Sequence, residues 1–326
     1  MTPAPHCTAV VLNWNGWRDT LACVLSLLRA APAPGRIIVC DNGSTDGSLP
    51  QLEAALRLAV GAGLQCTDRA AVDATDVTAA SLWLLSNGAN LGYAGGNNVG
   101  LRLALRDPGC THVWILNNDT EVAPDALAQA LARMAAQPAI GLCGSTLVYA
   151  HDRRTVQAFG GSAYARWTGR TRHLGASSRL ADVPSEPAEV EAQMACLVGA
   201  AMLARRAWIE TVGPMHEDYF LYFEEIDWAA RAAGRFGLAW APRSIVYHKE
   251  GASAGTAARG GSPSSLYYLF RNRLRFAWRF HRLYMPTVLV SALWDIVKLA
   301  LRARWSQAAA ALRGALQLSL PATPGA

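Results

Sequence analysis

No two of the seven cysteines form a CxxC pair, and their number is odd. They are scattered, at Cys7, Cys23, Cys40, Cys66, Cys110, Cys143 and Cys196. That pattern argues against a disulfide framework or a zinc site and suits a reducing cytosol. The start, "MTPAPHCTAVVLNWNG", has no basic stretch leading into a long apolar run, so no signal peptide is expected there. GxGxxG and Gly-Lys-Ser/Thr are both missing, which weakens the case for a dinucleotide or ATP site. Zinc-finger, RRM and KH patterns are missing too, and there is no internal repeat.

Acidic residues are nearly absent from one end. Residues 251–326 carry 10 Lys+Arg against 1 Asp+Glu, a net of +9. Residues 1–250 carry 20 against 23, a net of −3. Such asymmetry points to an anionic partner, a membrane or a nucleic acid, unless the basic face is simply solvated.

The remainder is rich in apolar residues. With 52% hydrophobic content over 326 residues, the chain can bury a sizeable core as one large domain or two. "TAVVLNWNG" (8–16), "GRIIVC" (35–40), "SLWLLS" (81–86) and "THVWILNNDT" (111–120) read as buried strands ending in polar residues. Between them, 19–30, 49–60 and 123–137 have helical spacing, the last with Pro124 placed in its first turn. Strand and helix alternate, so a doubly wound, mostly parallel α/β sheet is expected. Ligands of such sheets bind beyond the carboxyl ends of the strands, so the polar clusters 13–16, 41–46, 87–98 and 117–119 should converge. Residues 151–190 read as a loop-rich insert with edge strands. Residues 194–213 read as strand then helix, 219–234 as a loop entering a helix, and 237–251 as a strand leading to His248. Residues 251–263 look like a mobile link, and 264–318 look helical.

Several clusters have chemistry to offer. In "VCDNGSTDGS", Asp41 ends a strand and can accept hydrogen bonds from a ribose or base, while Asn42 and Gly43 form the turn; a turn capped by its own side chains is the plainer alternative. "NLGYAGGNNVG" (90–100) packs four glycines and three asparagines into eleven residues, which lets backbone approach a ligand closely. In "WILNNDTEV", Asp119 can bind a hard divalent cation that in turn holds a diphosphate, and Asn117 and Asn118 can add neutral oxygens. "YFEEIDWAARAAG" sets Glu224, Glu225 and Asp227 among aromatics, where raised pKa values suit a general base; a helix N-terminus that favours acids is the alternative. His248 follows a strand, and a lone histidine is more often structural than a ligand.

Taken in order, "VVLNWNG", "VCDNGSTDGS", "NLGYAGGNN", "ILNNDT", "VGAAMLARRAWIETVG", "YFLYFEEIDWAARAAG" and "VYHKEGAS" resemble the family 2 glycosyltransferases with the GT-A fold. The set covers roughly residues 8–254 and looks most like bacterial rhamnosyltransferases of polysaccharide assembly. The resemblance implies a catalytic domain over 1–255, with a nucleotide half to about residue 120 and an acceptor half beyond it, followed by a helical region over 256–326. It implies inverting transfer of a sugar, rhamnose from dTDP-rhamnose being the best match, to a glycan or lipid-linked acceptor hydroxyl. Asp41 would bind the nucleotide, with the backbone near Asn13 and Asn15. Asn90, Gly95 and Asn97 would line the donor pocket. Asp119 matches the last acid of the family's metal motif, with Asn117 where its first acid stands. Asp119 and His248 would therefore hold Mg²⁺ or Mn²⁺ in a less anionic site than usual. Glu225 matches the catalytic base, with Glu where Asp is usual, and Glu224 and Asp227 compete for the role.

The C-terminal stretch 269–305 interleaves Arg271, Arg273, Arg275, Arg279 and Arg282 with aromatics and then turns apolar. Its longest uncharged run, Leu283 to Trp294, is shorter than the ~20 residues of a spanning helix. An interfacial helix on the inner face of the cytoplasmic membrane is expected, or else a helical pair packed on the catalytic domain or on a second subunit. Three other functions compete: a nucleotide-sugar-binding protein without catalysis, a nucleic-acid-binding protein using the basic end, and a nucleotidyltransferase. For the glycosyltransferase itself, no nucleic-acid partner is expected.

Overall fold

The computed structural model describes residues 6–232, 234–249 and 261–318. The first half runs β1 (His6–Asn13), α1 (Trp17–Leu28), β2 (Arg36–Asp41), α2 (Ser48–Val60), β3 (Leu64–Asp68), β4 (Leu82–Ser86), α3 (Gly92–Leu105), β5 (Cys110–Asn117), β6 (Thr120–Val122) and α4 (Ala126–Ala136). Next come β7 (Ile140–Tyr149), β8 (Val156–Phe159), β9 (Gly161–Ala165), β10 (Arg170–His173), α5 (Ala188–Glu191), β11 (Cys196–Leu197), β12 (Ala201–Arg205), α6 (Arg206–Val212), α7 (Glu224–Arg231) and β13 (Gly237–His248). Helices α8 (Pro263–Phe280), α9 (Met285–Leu301) and α10 (Trp305–Ala315) close the chain.

The apolar runs become strands because both of their faces are covered. Ala9, Val11, Ile37, Val39, Trp114 and Leu116 point into one core, roofed by α1, α2 and α4. The intervening Val10, Ile38, Cys40, Val113 and Ile115 point into the other, under α3, α6 and α7. Alternation sends successive side chains to opposite faces, and an unbroken apolar run satisfies both. The large sheet has the order β3-β4-β2-β1-β5-β12-β7-β13-β6, with β8 beside β7. Its first five strands are mutually parallel, and so are β7 and β13, whereas β12 runs antiparallel between β5 and β7. A second sheet, β10-β9-β11, stands apart. Register pairs Asn13 with Asp41, Asp41 with Ser86, and Leu12 with Asn117, so these strands end along one edge.

Four expectations need correction. Pro124 precedes Asp125, the N-cap of α4, and is not in its first turn. The stretch 90–100 is mostly helix, because α3 begins at Gly92. Its glycines bring that helix close to the sheet: a Cβ at Gly96 would stand 2.5 Å from Leu12, and one at Gly100 would stand 2.6 Å from Val10. The strand read in 194–213 is two, split between the sheets as β11 and β12. Most of the link read at 251–263 lies outside the described residues, which resume at Gly261.

The basic end also differs from a charged surface. Arg271 donates to the carbonyl oxygens of Asp218 and Tyr219, and Arg275 to that of Asp218. Arg273 pairs with Asp295 at 3.0 Å, and Arg279 pairs with Asp227 at 2.9 Å. Four of the five arginines therefore dock α8 onto the rest of the protein, which leaves little of this stretch for a polyanion. Phe270, Leu274, Ala277, Val288, Ala292 and Ile296 give the terminal helices a core of their own. By length and hydropathy alone, 282–301 would suffice to cross a membrane, and here it packs one side on α8 and α10.

Candidate active site

The strand-end polar clusters meet as one hydrogen-bonded group. Asn13 Nδ2 donates to Asp41 Oδ1 at 2.7 Å and to Ser44 Oγ at 3.1 Å. Asn13 Oδ1 accepts from Thr20 Oγ1 at 2.7 Å and from Asn118 Nδ2 at 3.4 Å. The Ser44 amide donates to Asp41 Oδ2. Asn15, with φ of 52°, takes the Thr45 amide on its Oδ1. Asn42 is a hub: its Nδ2 donates to Asn90 Oδ1 and the Gly92 carbonyl, and its Oδ1 accepts from Asn87 and the Leu91 amide. Asn13, Asp41 and Asn42 are buried, which rigidifies the group without using up the lone pairs of Asp41.

A cleft of about 410 Å³ opens above this group. Asn42, Asn90, Asn117 and Asn118 line it from the strand side, as expected. Gly95 and Asn97 are not among its lining residues. Asn97 is fully buried in α3 with its Nδ2 on the Tyr93 carbonyl, and Gly95 packs against Leu91. Trp14, Tyr93, Phe220 and Tyr268 complete the walls, with Phe220 and Tyr268 stacked at 4.7 Å. Sequence reasoning missed these aromatics. Trp14, Tyr93 and Phe220 stood inside quoted motifs, but Tyr268 belongs to α8, a segment given no part in the site by its sequence.

Asp119 and His248 come together at 3.2 Å between Oδ1 and Nε2, both well buried. Neither atom has a properly formed hydrogen bond despite the proximity. His248 Nδ1 lies 2.7 Å from Gln157 Oε1, a contact that fixes the ring orientation. Nε2 and Asp119 Oδ1 face each other across the 3.2 Å gap. A proton or a cation is needed between them. Burial pushes the Asp119 carboxyl up, and contact with His248 and Lys249 overrides it to leave a net lowering. Among the described residues no group of three or more His, Cys, Asp or Glu is placed to hold a metal, and Asp119 with His248 is the pair that such a site would use.

The three acids of α7 separate into different surroundings. Asp227 is fully buried, takes Arg231 Nε at 2.8 Å and Arg279 Nη1 at 2.9 Å, and accepts from the Tyr219 hydroxyl. It is committed to structure and not available as a base. Glu224 is buried with Oε2 unpaired, and desolvation, helped by Glu225, holds its carboxyl far above the usual range. Glu225 lines a second cleft with His173, Gly199 and Tyr222. Desolvation pushes its carboxyl up to about 7, against a lowering by the Gly199 backbone. Tyr93 of the first cleft donates through its hydroxyl to the carbonyl of Gly199 in the second at 2.6 Å, which ties the two walls together. A methyl at Gly199 would overlap Glu225 Oε1 and stand 3.0 Å from the Tyr93 hydroxyl.

The loop before α7 is strained. Phe220, Tyr222 and Phe223 all have positive φ, at 63°, 68° and 74°. It is held from outside by Asn272 of α8, which donates to the carbonyls of Tyr219, Leu221 and Tyr222.

No protein-family model and no curated protein match the chain. Solved structures do. The chain resembles the mannosyltransferase PcManGT from Pyrobaculum calidifontis in complex with GDP-Man and Mn²⁺, with TM-score 0.55 and 16% identity over 97% of this chain and 87% of that one. It resembles GalNAc-T7 with UDP, GalNAc and Mn²⁺, with TM-score 0.59 and 15% identity over 85% of this chain but 48% of that one, so it spans about half of that protein's length. A third likeness is to S. aureus TarS 1-349 in complex with UDP-GlcNAc, with TM-score 0.51 and 13% identity over 96% and 91%. The shared architecture is the GT-A fold, as the motif order implied, with the C-terminal helices present.

Proposed function

We propose that this GT-A chain is an inverting glycosyltransferase that moves a sugar from a nucleoside-diphosphate sugar to an acceptor hydroxyl, with Glu225 as general base. The observation that carries the reading is the position of Glu225. It is a carboxyl poised near neutrality, on the wall of a second cleft that Tyr93 and Gly199 tie to the strand-end cleft.

In this reading Asp41 and the Asn13–Asn15 backbone hold the nucleoside, and Asn42, Asn90, Asn117 and Asn118 shape the floor beneath the sugar diphosphate. The acceptor oxygen attacks the anomeric carbon from the face opposite the diphosphate. The new carbon–oxygen bond forms as the bond to the diphosphate breaks, and the nucleoside diphosphate leaves with that electron pair. The acceptor proton passes to Glu225. A carboxylate with a pKa near the working pH is a stronger base than an exposed one and is still about half ionised, and a correctly placed base is worth roughly 10²–10⁴-fold.

Asp119 Oδ1 and His248 Nε2 fit a divalent cation, because the two atoms converge and Gln157 fixes the ring. When bound, Mg²⁺ or Mn²⁺ would offset charge on the departing diphosphate. Mn²⁺ accompanies nucleotide or nucleotide sugar in two of the similar structures. The motif set favours dTDP-rhamnose as donor and bacterial cell-surface polysaccharide or glycolipid assembly on the inner face of the cytoplasmic membrane as the setting.

A thermal-shift panel of dTDP-rhamnose, UDP-glucose, UDP-N-acetylglucosamine, UDP-galactose and GDP-mannose, each with and without Mn²⁺, tests this. A ligand that binds only the folded state adds about 2.7 kcal/mol at a hundredfold excess over Kd. One donor should stand out, and only with metal. No shift with any of them would overturn the reading.

A further inference from the structure

The small sheet β10-β9-β11 has two unlike faces. Ala163 and the neighbouring Leu174 belong to an apolar cluster with Phe159 and Trp240 on one side. Side chains alternate along a strand, so Ser162 and Tyr164 of β9 share the other face with Thr171 and His173 of β10. Register sets His173 opposite Ser162 and Thr171 opposite Tyr164. Tyr164 packs on Phe276 of α8, with ring centres 5.1 Å apart. Ser162, Thr171 and His173 line the Glu225 cleft. A sheet face covered by helices is ordinarily apolar, yet here three polar side chains gather where that face meets the carboxyl.

The strip is held rigidly against Glu225. Ser162 is buried, and its Oγ lies 2.8 Å from His173 Nδ1, which sets the plane of the imidazole. On its other side β9 pairs with β11, with Cys196 opposite Ser162. The chain then reaches Gly199, whose backbone meets the Glu225 carboxyl. The cleft measures about 110 Å³. That is small beside the roughly 300–1,000 Å³ of a site that encloses a whole ligand, so it takes one end of a molecule. Phe223, Ile226 and Leu269 give it apolar lining as well. A sugar ring, with hydroxyls along its edge and C–H groups on its faces, matches both kinds of wall.

We propose that Ser162, Thr171 and His173 form the subsite that selects the acceptor. Thr171 and His173 bind hydroxyls of its terminal sugar beside the one that attacks, and Ser162 positions the imidazole. The idea rests on the glycosyl-transfer reading and deepens it, by naming the residues that decide which hydroxyl reaches Glu225. Hydroxyl and imidazole groups both donate and accept, as a sugar hydroxyl requires. A site built to pair with a substrate hydroxyl also rejects analogues that lack it, which an apolar pocket does poorly.

The test uses the full chain with whichever nucleotide sugar raises its melting temperature. Release of nucleoside diphosphate is measured with and without the methyl glycosides of rhamnose, glucose, galactose, mannose and N-acetylglucosamine as acceptor probes. At least one glycoside should accelerate release by wild type. Thr171→Val and His173→Ala should each lose roughly threefold to tenfold of that acceleration and keep the donor thermal shift. Monodeoxy analogues of the best glycoside make the comparison decisive. One of them should lose a similar factor on wild type and nothing further on Thr171→Val or His173→Ala, a pattern that a merely structural role would not produce. Full acceleration in both variants, or deoxy losses that add in full to those of both variants, would overturn the subsite. So would a donor shift in wild type with no acceleration by any glycoside. The absence of any donor shift would instead sink the transfer reading, and the subsite with it.

Discussion

Asn272 Nδ2 sits 2.8 Å from the carbonyl oxygen of Leu221, the middle one of three loop carbonyls it gathers. The neighbouring Phe220, Tyr222 and Phe223 have left-handed backbone, which such a loop does not keep without support. Asn272 touches neither Glu225 nor any residue assigned to the nucleotide, so it acts as a positioning residue. Asn272→Ala should cost about 1–3 kcal/mol of stability from unpaired buried carbonyls. It should also lower kcat more than it changes KM for the donor. Steady-state kinetics beside a denaturant melt checks this, and a purely structural role would leave kcat intact in the folded fraction.

Glu225 and Glu224 should separate cleanly. Glu225→Gln should reduce kcat by roughly 10²–10⁴-fold with donor affinity kept, whereas Glu224→Gln should keep most of the activity. The base form of Glu225 appears as pH rises through about 7, so kcat/KM should climb below that pH and level off above it. Stability runs the other way. The raised carboxyl favours the protonated folded state, so its contribution is present below the ordinary glutamate range and is lost as pH rises towards about 7. Melts across pH 4–9 on wild type and Glu225→Gln should therefore show the variant relatively more stable at the alkaline end.

Gly199→Ala tests the same base without altering it. The added methyl overlaps Glu225 Oε1, and the site has the Tyr93 hydroxyl on its other side. A displacement near 1 Å is worth up to about 10²-fold in rate. The expected outcome is a large loss of kcat with nearly normal stability and donor binding. Unimpaired turnover would mean that Glu225 has room to move and is not held in place by this contact.

Asp119 and His248 should behave as one site. Either Asp119→Asn or His248→Ala should remove the Mn²⁺-dependent part of the donor thermal shift. Gln157→Ala, one bond further out, should weaken apparent metal affinity about 10–100-fold through loss of ring orientation. Chelation by EDTA should reproduce the Asp119→Asn phenotype in wild type. If donor binding is the same with and without metal in all four proteins, the pair is an ordinary buried ion contact.

Asp227 should matter for folding and not for chemistry. Removing it leaves Arg231, Arg279 and the Tyr219 hydroxyl without their shared acceptor, and with both arginines partly exposed the cost should be about 1–3 kcal/mol. Asp227→Ala should melt below wild type, while Arg279→Ala, which removes the more exposed partner, should be milder. A normal melting temperature for Asp227→Ala would contradict the assignment.

What the sequence made legible was local. "VVLN", "RIIVCD" and "VWILN" announce strands with both faces buried, and the polar residues after each fall at one sheet edge because parallel strands end together. The acids of α7 were visible as a group but not as three different environments, since Arg279, which claims Asp227, lies 52 residues away. The glycines of 90–100 were misread because spacing alone does not distinguish a loop that hugs a ligand from a helix that hugs a sheet. The arginines of α8 were read as a surface for the same reason: their partners are carbonyls and carboxylates whose positions no local pattern reveals.

Helix α8 brings Ser264, Ser265 and Tyr268 to the donor cleft, Asn272 to the loop before Glu225, and Arg279 to Asp227. One rod thus braces both clefts and shares a core with α9. A shortened chain ending before Pro263 would keep the sheet but lose the rod that braces its clefts, so on the proposed reading such trimming should abolish sugar transfer. By the same mechanics, a ligand of α9 that shifts α8 should alter affinity at the strand-end cleft, and a ligand of that cleft should alter binding at α9 by the same factor.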